Sequence, residues 1–438
     1  MTTTADRTSA ASTAADSTAA EGPTTAPGAG RLTAAAPAAP GDYAALRERF
    51  APLLGEIAEG AAARDRERRL PHAEVRALAD AGFTALTVPV AQGGHGAGIE
   101  TFFRLLIDLG EADSNLPQLL RAHFSHVEEL LRGEEGPDTE RRLEAIAAGT
   151  VFGNASHERS TATVGDLVTT VVPDGDGYRL DGEKHYSTGS LFADWIDVSA
   201  RIEDGGRARV TVRADAPGVT LRDDWDGFGQ ILTGSGSTLL EDVKVPAEQV
   251  RVRPQGGDGQ PTTQTSFLQL VLLSSLVGVG RAAVRDAVGF VRSRTRVYSQ
   301  GSGATAAQDP LVQQVIGRIS ARVAAAEDAV LAAARALEVA RAATGEERGA
   351  LTDAAELRTI QAQLTAVPDV LSVTTELFEV GGASATSTSR ALDRHWRNAR
   401  TLSSHNPVIY QERAIGDRLL NGTGLLYFWS TGETPKSS

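Results

Sequence analysis

The feature that most restricts this chain is a change of texture at Val151. From there to about residue 253 the sequence runs in short β-favouring stretches, Leu167–Val172, Tyr178–Leu180 and Trp195–Ala200, parted by turn signals such as Pro173-Asp174-Gly175-Asp176-Gly177. On both sides the pattern is helical. Tyr43, Leu46, Phe50, Leu53, Leu54 and Ile57 recur at helical spacing, and Val75, Leu78 and Phe83 resume it after Arg69-Leu70-Pro71. Residues 99–148 carry Phe102, Leu105, Leu106 and Leu109 on one stripe. After a polar loop over 254–264, helices run from Phe267 to about Val380, with an Ala-rich stretch over 316–343. Helices, then strands, then helices predict an α+β chain with segregated layers. The expected divisions are a disordered tail over 1–40, a helical domain over 41–150, a small antiparallel β-domain over 151–253, and a helical bundle over 254–438.

Composition removes several classes of function. The 438 residues include no cysteine, so disulfides, thiolate nucleophiles and Cys-ligated metals are excluded. A reducing cytoplasm fits that. With 43 Lys+Arg against 56 Asp+Glu the net charge is -13, which argues against a nucleic-acid partner. No run of about 18 apolar residues occurs, so no membrane-spanning segment is expected. Residues 1–40, rich in Ala, Thr, Ser, Gly and Pro, lack the apolar core of a signal peptide and read as a disordered tail.

Four motifs then fall in a telling order. They are Ala81-Gly82-Phe83 through Val88-Pro89 and Gly93-Gly94-His95-Gly96; Gly182-Glu183-Lys184-His185-Tyr186-Ser187-Thr188-Gly189; Asp194–Arg201; and Gly234-Ser235-Gly236-Ser237-Thr238 through Val245-Pro246. Together they resemble the acyl-CoA dehydrogenase superfamily, over about residues 43–425. The resemblance implies an N-terminal helical domain, a middle antiparallel β-domain and a C-terminal four-helix bundle, usually assembled as a homotetramer.

Chemistry is a separate question from fold. Where many dehydrogenases of the family keep a glutamate base, this chain has Ser404-His405-Asn406-Pro407. The alternative base position, near Phe267–Val277, holds no Asp or Glu. Phe152-Gly153-Asn154-Ala155-Ser156, Asp224–Gln230 and Asp393–Arg400 complete a pattern similar to the reduced-flavin-dependent monooxygenases on this fold. That resemblance implies FMNH2, or FADH2, supplied by a separate NAD(P)H:flavin reductase, with O2 as co-substrate and a flavin C4a-hydroperoxide that oxygenates a small organic molecule. The competing readings are an FAD-dependent acyl-CoA dehydrogenase with a displaced base, and a flavin-binding scaffold without activity.

The resemblance also assigns sites. His405 is expected to bond the reacting oxygen and exchange its proton. His123 is expected beside the substrate, with Asn154 and Ser187 completing the catalytic set. Asn154, Ser156, Ser187, Thr188 and Trp225 are expected around the flavin ring. Arg294, Gly382 and Ser384 are expected at a flavin phosphate, Arg294 reaching a neighbouring subunit's cofactor. Phe228 and Phe267, with His123, are expected to wall the substrate pocket. No metal site is expected, because His123 and His126 have no third ligand at a recognisable spacing.

Overall fold

A computed structural model describes residues 41–133, 135–159, 167–202, 206–253 and 261–427. The expected disordered tail lies outside the described residues. The N-terminal layer comprises α1 (Tyr43–Glu67), α2 (His72–Asp80), α3 (Ile99–Ala112), α4 (Asn115–Leu119), α5 (Arg121–Arg132) and α6 (Pro137–Ala147). Asp42 caps α1, its carboxylate accepting from the Ala44 and Ala45 amides. Between α1 and α2 the chain turns at Arg68, in left-handed conformation, just ahead of Pro71.

All described strands lie between Phe152 and Arg253: β1 (Phe152–Ala155), β2 (Thr170–Asp174), β3 (Gly177–Lys184), β4 (Trp195–Ile202), β5 (Arg207–Arg213), β6 (Val219–Leu221), β7 (Thr238–Val245) and β8 (Val250–Arg253). They form one sheet, ordered β6-β7-β3-β2-β4-β5-β8. Antiparallel pairings dominate, as expected. The sheet is nonetheless mixed, because β4 carries β1 in parallel along its first half and β2 in parallel along its second. Its inward face buries Val171, Leu180, Ile196, Val198, Val210 and Val243 in a core of its own.

The C-terminal region contains α7 (Thr263–Ser293), α8 (Pro310–Ala342), α9 (Glu347–Glu376), α10 (Asp393–Ser404) and α11 (Val408–Asn421). Three long helices, α7 to α9, pack together; α10 lies against α7 and α9, and α11 against α9. By length and composition α7 is apolar enough to cross a bilayer, but most of that stretch is buried. An all-round apolar helix in this position is the centre of a core. Phe267, Leu270, Val271 and Val277 of α7 share one cluster with Phe102, Leu105, Leu106 and Leu109 of α3, and with Val330 and Leu337 of α8.

Gly278 sets how closely α3 and α7 approach. A Cβ there would run into the Gly110 backbone and lie 2.6 Å from the Glu111 nitrogen, while a Cβ on Gly110 would sit 3.2 Å from Ser275 Cα. Backbone cannot step aside as a flexible side chain can. A buried cation ties the neighbouring turns. Arg64 of α1 bonds Asp113 at 2.9 Å and Glu74 at 3.0 Å, and Asp113 in turn holds the Asn115 amide at 2.8 Å. Gly278→Ala is expected to lower unfolding free energy by about 1–3 kcal/mol in urea titrations, despite alanine's better helix propensity. A stabilised variant would show that the contact is not tight.

Candidate active site

Two groups of polar side chains meet the start of α5. The first comes from the sheet. Between β3 and the short 3-10 turn Ser190–Phe192, Tyr186 adopts a left-handed φ of 56° and Gly189 a φ of 82°. A Cβ on Gly189 would strike the Leu119 carbonyl, so glycine lets this loop sit on the α4–α5 junction. The left-handed Tyr186 costs roughly 1–2 kcal/mol, which the surrounding bonds hold in place. Ser187 N–H donates to Gly236 O, Gly189 N–H to Thr233 O, and Ser190 Oγ to Asn154 O at 2.8 Å. Below the loop, Lys184 is fully buried and bonds Glu158 at 2.5 Å.

Ser187 is 2% exposed, and its Oγ has no hydrogen-bond partner. It is one of several buried hydroxyls without a partner among the described residues, alongside Thr84, Thr169, Thr238 and Ser274, and it is free to bond a ligand. Thr188 Oγ1 lies 2.8 Å from Ser235 Oγ, which is 2.7 Å from Thr233 Oγ1. Ser235 belongs to a motif read in the sequence only as a fold marker; its place in this hydroxyl chain became visible in the structure. Asn154 stands half-buried on β1, while Ser156 accepts from Ser199 Oγ at 3.2 Å. Trp225 donates Nε1–H to Gly229 O and packs edge-on to Tyr186.

The second group comes from the helices. His405 C-caps α10. Asn406 directs its amide Nδ2 to Gln269 Oε1 at 2.6 Å, and Gln363 donates to its backbone oxygen at 2.9 Å. Asn406 Oδ1 is thereby turned toward His405 Nδ1, 3.3 Å away. An amide oxygen can only accept, so the imidazole proton sits on Nδ1 and Nε2 keeps its lone pair. Arg121 NH1 points at that nitrogen from 3.5 Å, and Arg121 Nε donates to Leu268 O of α7 at 3.0 Å. The His405 ring is open to solvent, yet the protein surrounding it, and secondarily the Arg121 charge, pushes its pKa down to about 4. With His405 exposed and Arg121 half-buried, the pair borders solvent.

Other expected residues are placed differently. His123 is fully buried. Phe152 N–H donates to its Nδ1 at 3.2 Å and its Nε2–H reaches Thr84 O at 2.9 Å. With both nitrogens bound to backbone, it pins β1 to the helical layer and has none left for a substrate. Phe267 also departs from expectation. It stacks on Phe102 in the closed core instead of walling a pocket. Phe228 is 55% exposed and stacks on Trp396. Arg294 donates to Val380 O at 2.9 Å, beside the Gly382 loop, where Ser384 Oγ bonds Gly381 O. Arg390 joins them, donating to Ser384 O at 3.1 Å and lying over Phe290. Ring stacking on Phe152 and a 2.7 Å bond from Nδ1 to Asp197 make His126 part of a buried pair with no separate sequence signal. Burial alone would raise the Asp197 carboxyl; His126 and Thr211 outweigh it and hold the pKa below the usual range. Among the described residues no cluster of three His, Asp or Glu is placed to hold a metal ion.

Comparison with known proteins decides the family. Profiles described as "Acyl-CoA dehydrogenase, N-terminal domain" and "Acyl-CoA dehydrogenase, C-terminal domain" match residues 43–137 and 270–409. The chain is 30% identical over 360 residues to a dibenzothiophene monooxygenase of Mycolicibacterium goodii, covering 78% of this chain and 86% of that one. The chain belongs to the acyl-CoA dehydrogenase family. Within that family its relatives include monooxygenases. A probable FMNH2-dependent monooxygenase, SfnC, of Pseudomonas putida is 30% identical over 382 residues, covering 84% of this chain and 93% of its own. The crystal structure of FMN-bound TdsC from Paenibacillus sp. A11-2 superposes with a TM-score of 0.78 at 27% identity, covering 86% of this chain and 98% of that one.

Two imidazoles share one consequence. Burial pushes His123 and His395 each down to about 4, with the Arg394 charge adding to the shift at His395. Unfolded histidine takes up its proton near ~6.5. Between these values the unfolded state binds more protons, so stability is complete above about pH 6.5 and falls as pH drops toward 4. Denaturation at pH ~7.5 and ~5 is expected to give a lower midpoint at the acid value; identical midpoints would contradict these placements.

Proposed function

We propose that this chain is the oxygenase component of a two-component system: a monooxygenase that takes reduced flavin, FMNH2, from a separate reductase and uses O2 to oxygenate a small organic molecule. The observation that carries this reading is the neutral imidazole of His405, set where dehydrogenases of the family keep a carboxylate. No carboxylate lies within ion-pair distance of His405 or Arg121 among the described residues. The carboxylate that dehydrogenases of the family use to remove a proton from carbon is replaced here by His405. Passing a proton to and from an oxygen needs only His405 Nε2.

The residues present suit a flavin. The unpaired Ser187 hydroxyl, the Thr188–Ser235–Thr233 hydroxyls and the half-buried Asn154 would hold the ring. Arg294 and Arg390 at the Gly382 loop are the cations for a phosphate. The FMN of the structural relative and the FMNH2 of the sequence relative favour FMN over FAD. When bound, reduced flavin supplies the two electrons that activate O2 and delivers one oxygen atom to substrate. The protein's part is orientation and the proton. Asn406 fixes the imidazole tautomer, and its surroundings keep it neutral near pH 7, so Nε2 can accept a proton from the reacting oxygen and return it. We further infer a homotetramer in the cytoplasm, with Arg294, Gly382 and Ser384 presented to a neighbouring subunit's phosphate.

Reductase, NADH and FMN together are expected to drive product formation, while this chain without reductase uses NADH poorly. His405→Ala is expected to cut product formation by about 10²–10⁴-fold with little change in FMN affinity, flavin oxidation then releasing hydrogen peroxide. Equal losses of both would remove His405 from the chemistry. Arg294→Gln is expected to weaken FMN binding about tenfold or more without shifting the pH profile of turnover; unchanged affinity would rule out its phosphate role.

A further inference from the structure

Arg121 opens α5 half-buried, and its bonding differs from that of five other arginines of the helical layers. Arg64 answers Asp113, Arg394 answers Asp286, and Arg397 answers Asp65 and Asp393. Arg132 lies against Glu128, and Arg281 against Glu327. Arg121 has no carboxylate partner among the described residues. Of its five N–H groups, one binds Leu268 O and one points at neutral His405. The rest meet no acceptor among the described residues. Burial drags its pKa down to about 10, with no opposite charge to restore it. Its surroundings are neutral: Gln264 bonds Ser125 one turn along α5, and Gln269 bonds Asn406 behind His405.

A half-buried guanidinium with no carboxylate beside it among the described residues keeps donors free for an anionic ligand. Its flat fork of donors suits a planar or tetrahedral oxyanion that takes two bonds side by side. Arg121 also lies next to the imidazole that handles the proton, so the anion it holds must be close to the oxygenated atom. We infer that Arg121 is a specificity residue and that the substrate is a small organic anion, with a carboxylate, sulfinate or sulfonate group near the oxygenated atom. The inference rests on the oxygenase reading of this site and adds the charge of what enters it. A neutral heterocycle would leave the guanidinium unpaired.

The test uses the full chain and a matched pair of thioethers, methylthioacetate and its neutral counterpart methylthioacetamide. Calorimetric titration without flavin is expected to show the carboxylate binding about tenfold or more tightly than the amide, with the difference shrinking as chloride is added. Arg121→Gln should abolish the preference and Arg121→Lys should keep part of it, while both variants bind FMN like the parent. With FMN, reductase and NADH, Arg121→Gln should raise KM for methylthioacetate far more than it lowers kcat. Equal binding of acid and amide by the parent chain would overturn the inference. So would a preference that survives Arg121→Gln, or a loss of FMN affinity as large as the loss of acid binding. If the charge preference behaves as expected but neither thioether yields a sulfoxide, the anion site stands and the oxygenase reading is the part that fails.

Discussion

The close crossing of α3 and α7 is the constraint on which the other placements depend. Two glycines, Gly110 and Gly278, let the helix backbones meet without an intervening side chain. The crossing fixes the height of α7 relative to the N-terminal layer. Leu268, near the start of α7, then meets Arg121 at the start of α5, and Gln269 meets Asn406 beyond α10. At the other end of the crossing Asp113 receives Arg64, and Asn115 Oδ1 accepts the Leu232 amide of the loop between β6 and β7. A helix contact thus carries the sheet's loop and the candidate site in one frame. Dense packing makes such a frame hard to shift by small amounts.

Charge is handled differently inside that frame and at the candidate site. In the frame, ions are paired. Asp286, held far below the usual carboxylate range, takes Arg394 at 2.6 Å and His395 at 3.0 Å, joining α7 to α10. Lys184 and Glu158 close on each other beneath the Ser187 loop. At the candidate site the pattern reverses, with an uncompensated guanidinium, an imidazole kept neutral and a hydroxyl without a partner. Unsatisfied groups weaken a fold that has nothing to put against them. Ser187 Oγ and the free donors of Arg121, on either side of the α4–α5 junction, are groups that a cofactor and substrate would satisfy.

Much of this was legible in the chain's local patterns, and the misses share a cause. The periodicity of Leu46, Phe50 and Leu54 gave α1, and the run Tyr178–Leu180 fell in β3. Asn154 and Ser187 lie in one neighbourhood, linked through the Ser190 bond to Asn154 O, and His405 lies beside Arg121, because motif spacing carries backbone position well. His123 was misread because motif position says nothing about which atoms a ring nitrogen will meet. Two backbone groups, from residues 84 and 152, took both of its nitrogens. Phe267 turned inward for a similar reason, since Phe102 and Phe103 offered it an apolar slot. Arg121 carried no mark in the sequence, where it is one arginine among many. Its meaning lies in the carboxylates that are not near it.

The sequence alone determined the order of layers and the class of chemistry. Helical and strand periods are local properties of consecutive residues, and replacing a carboxylate by an imidazole in a fixed motif changes which proton can be moved. The tertiary structure alone decided which polar groups are answered and which are left open. That depends on contacts across more than a hundred residues, such as Arg121 with Leu268 and with His405, and on how far each group is withdrawn from water. Neither quantity exists until the chain is packed.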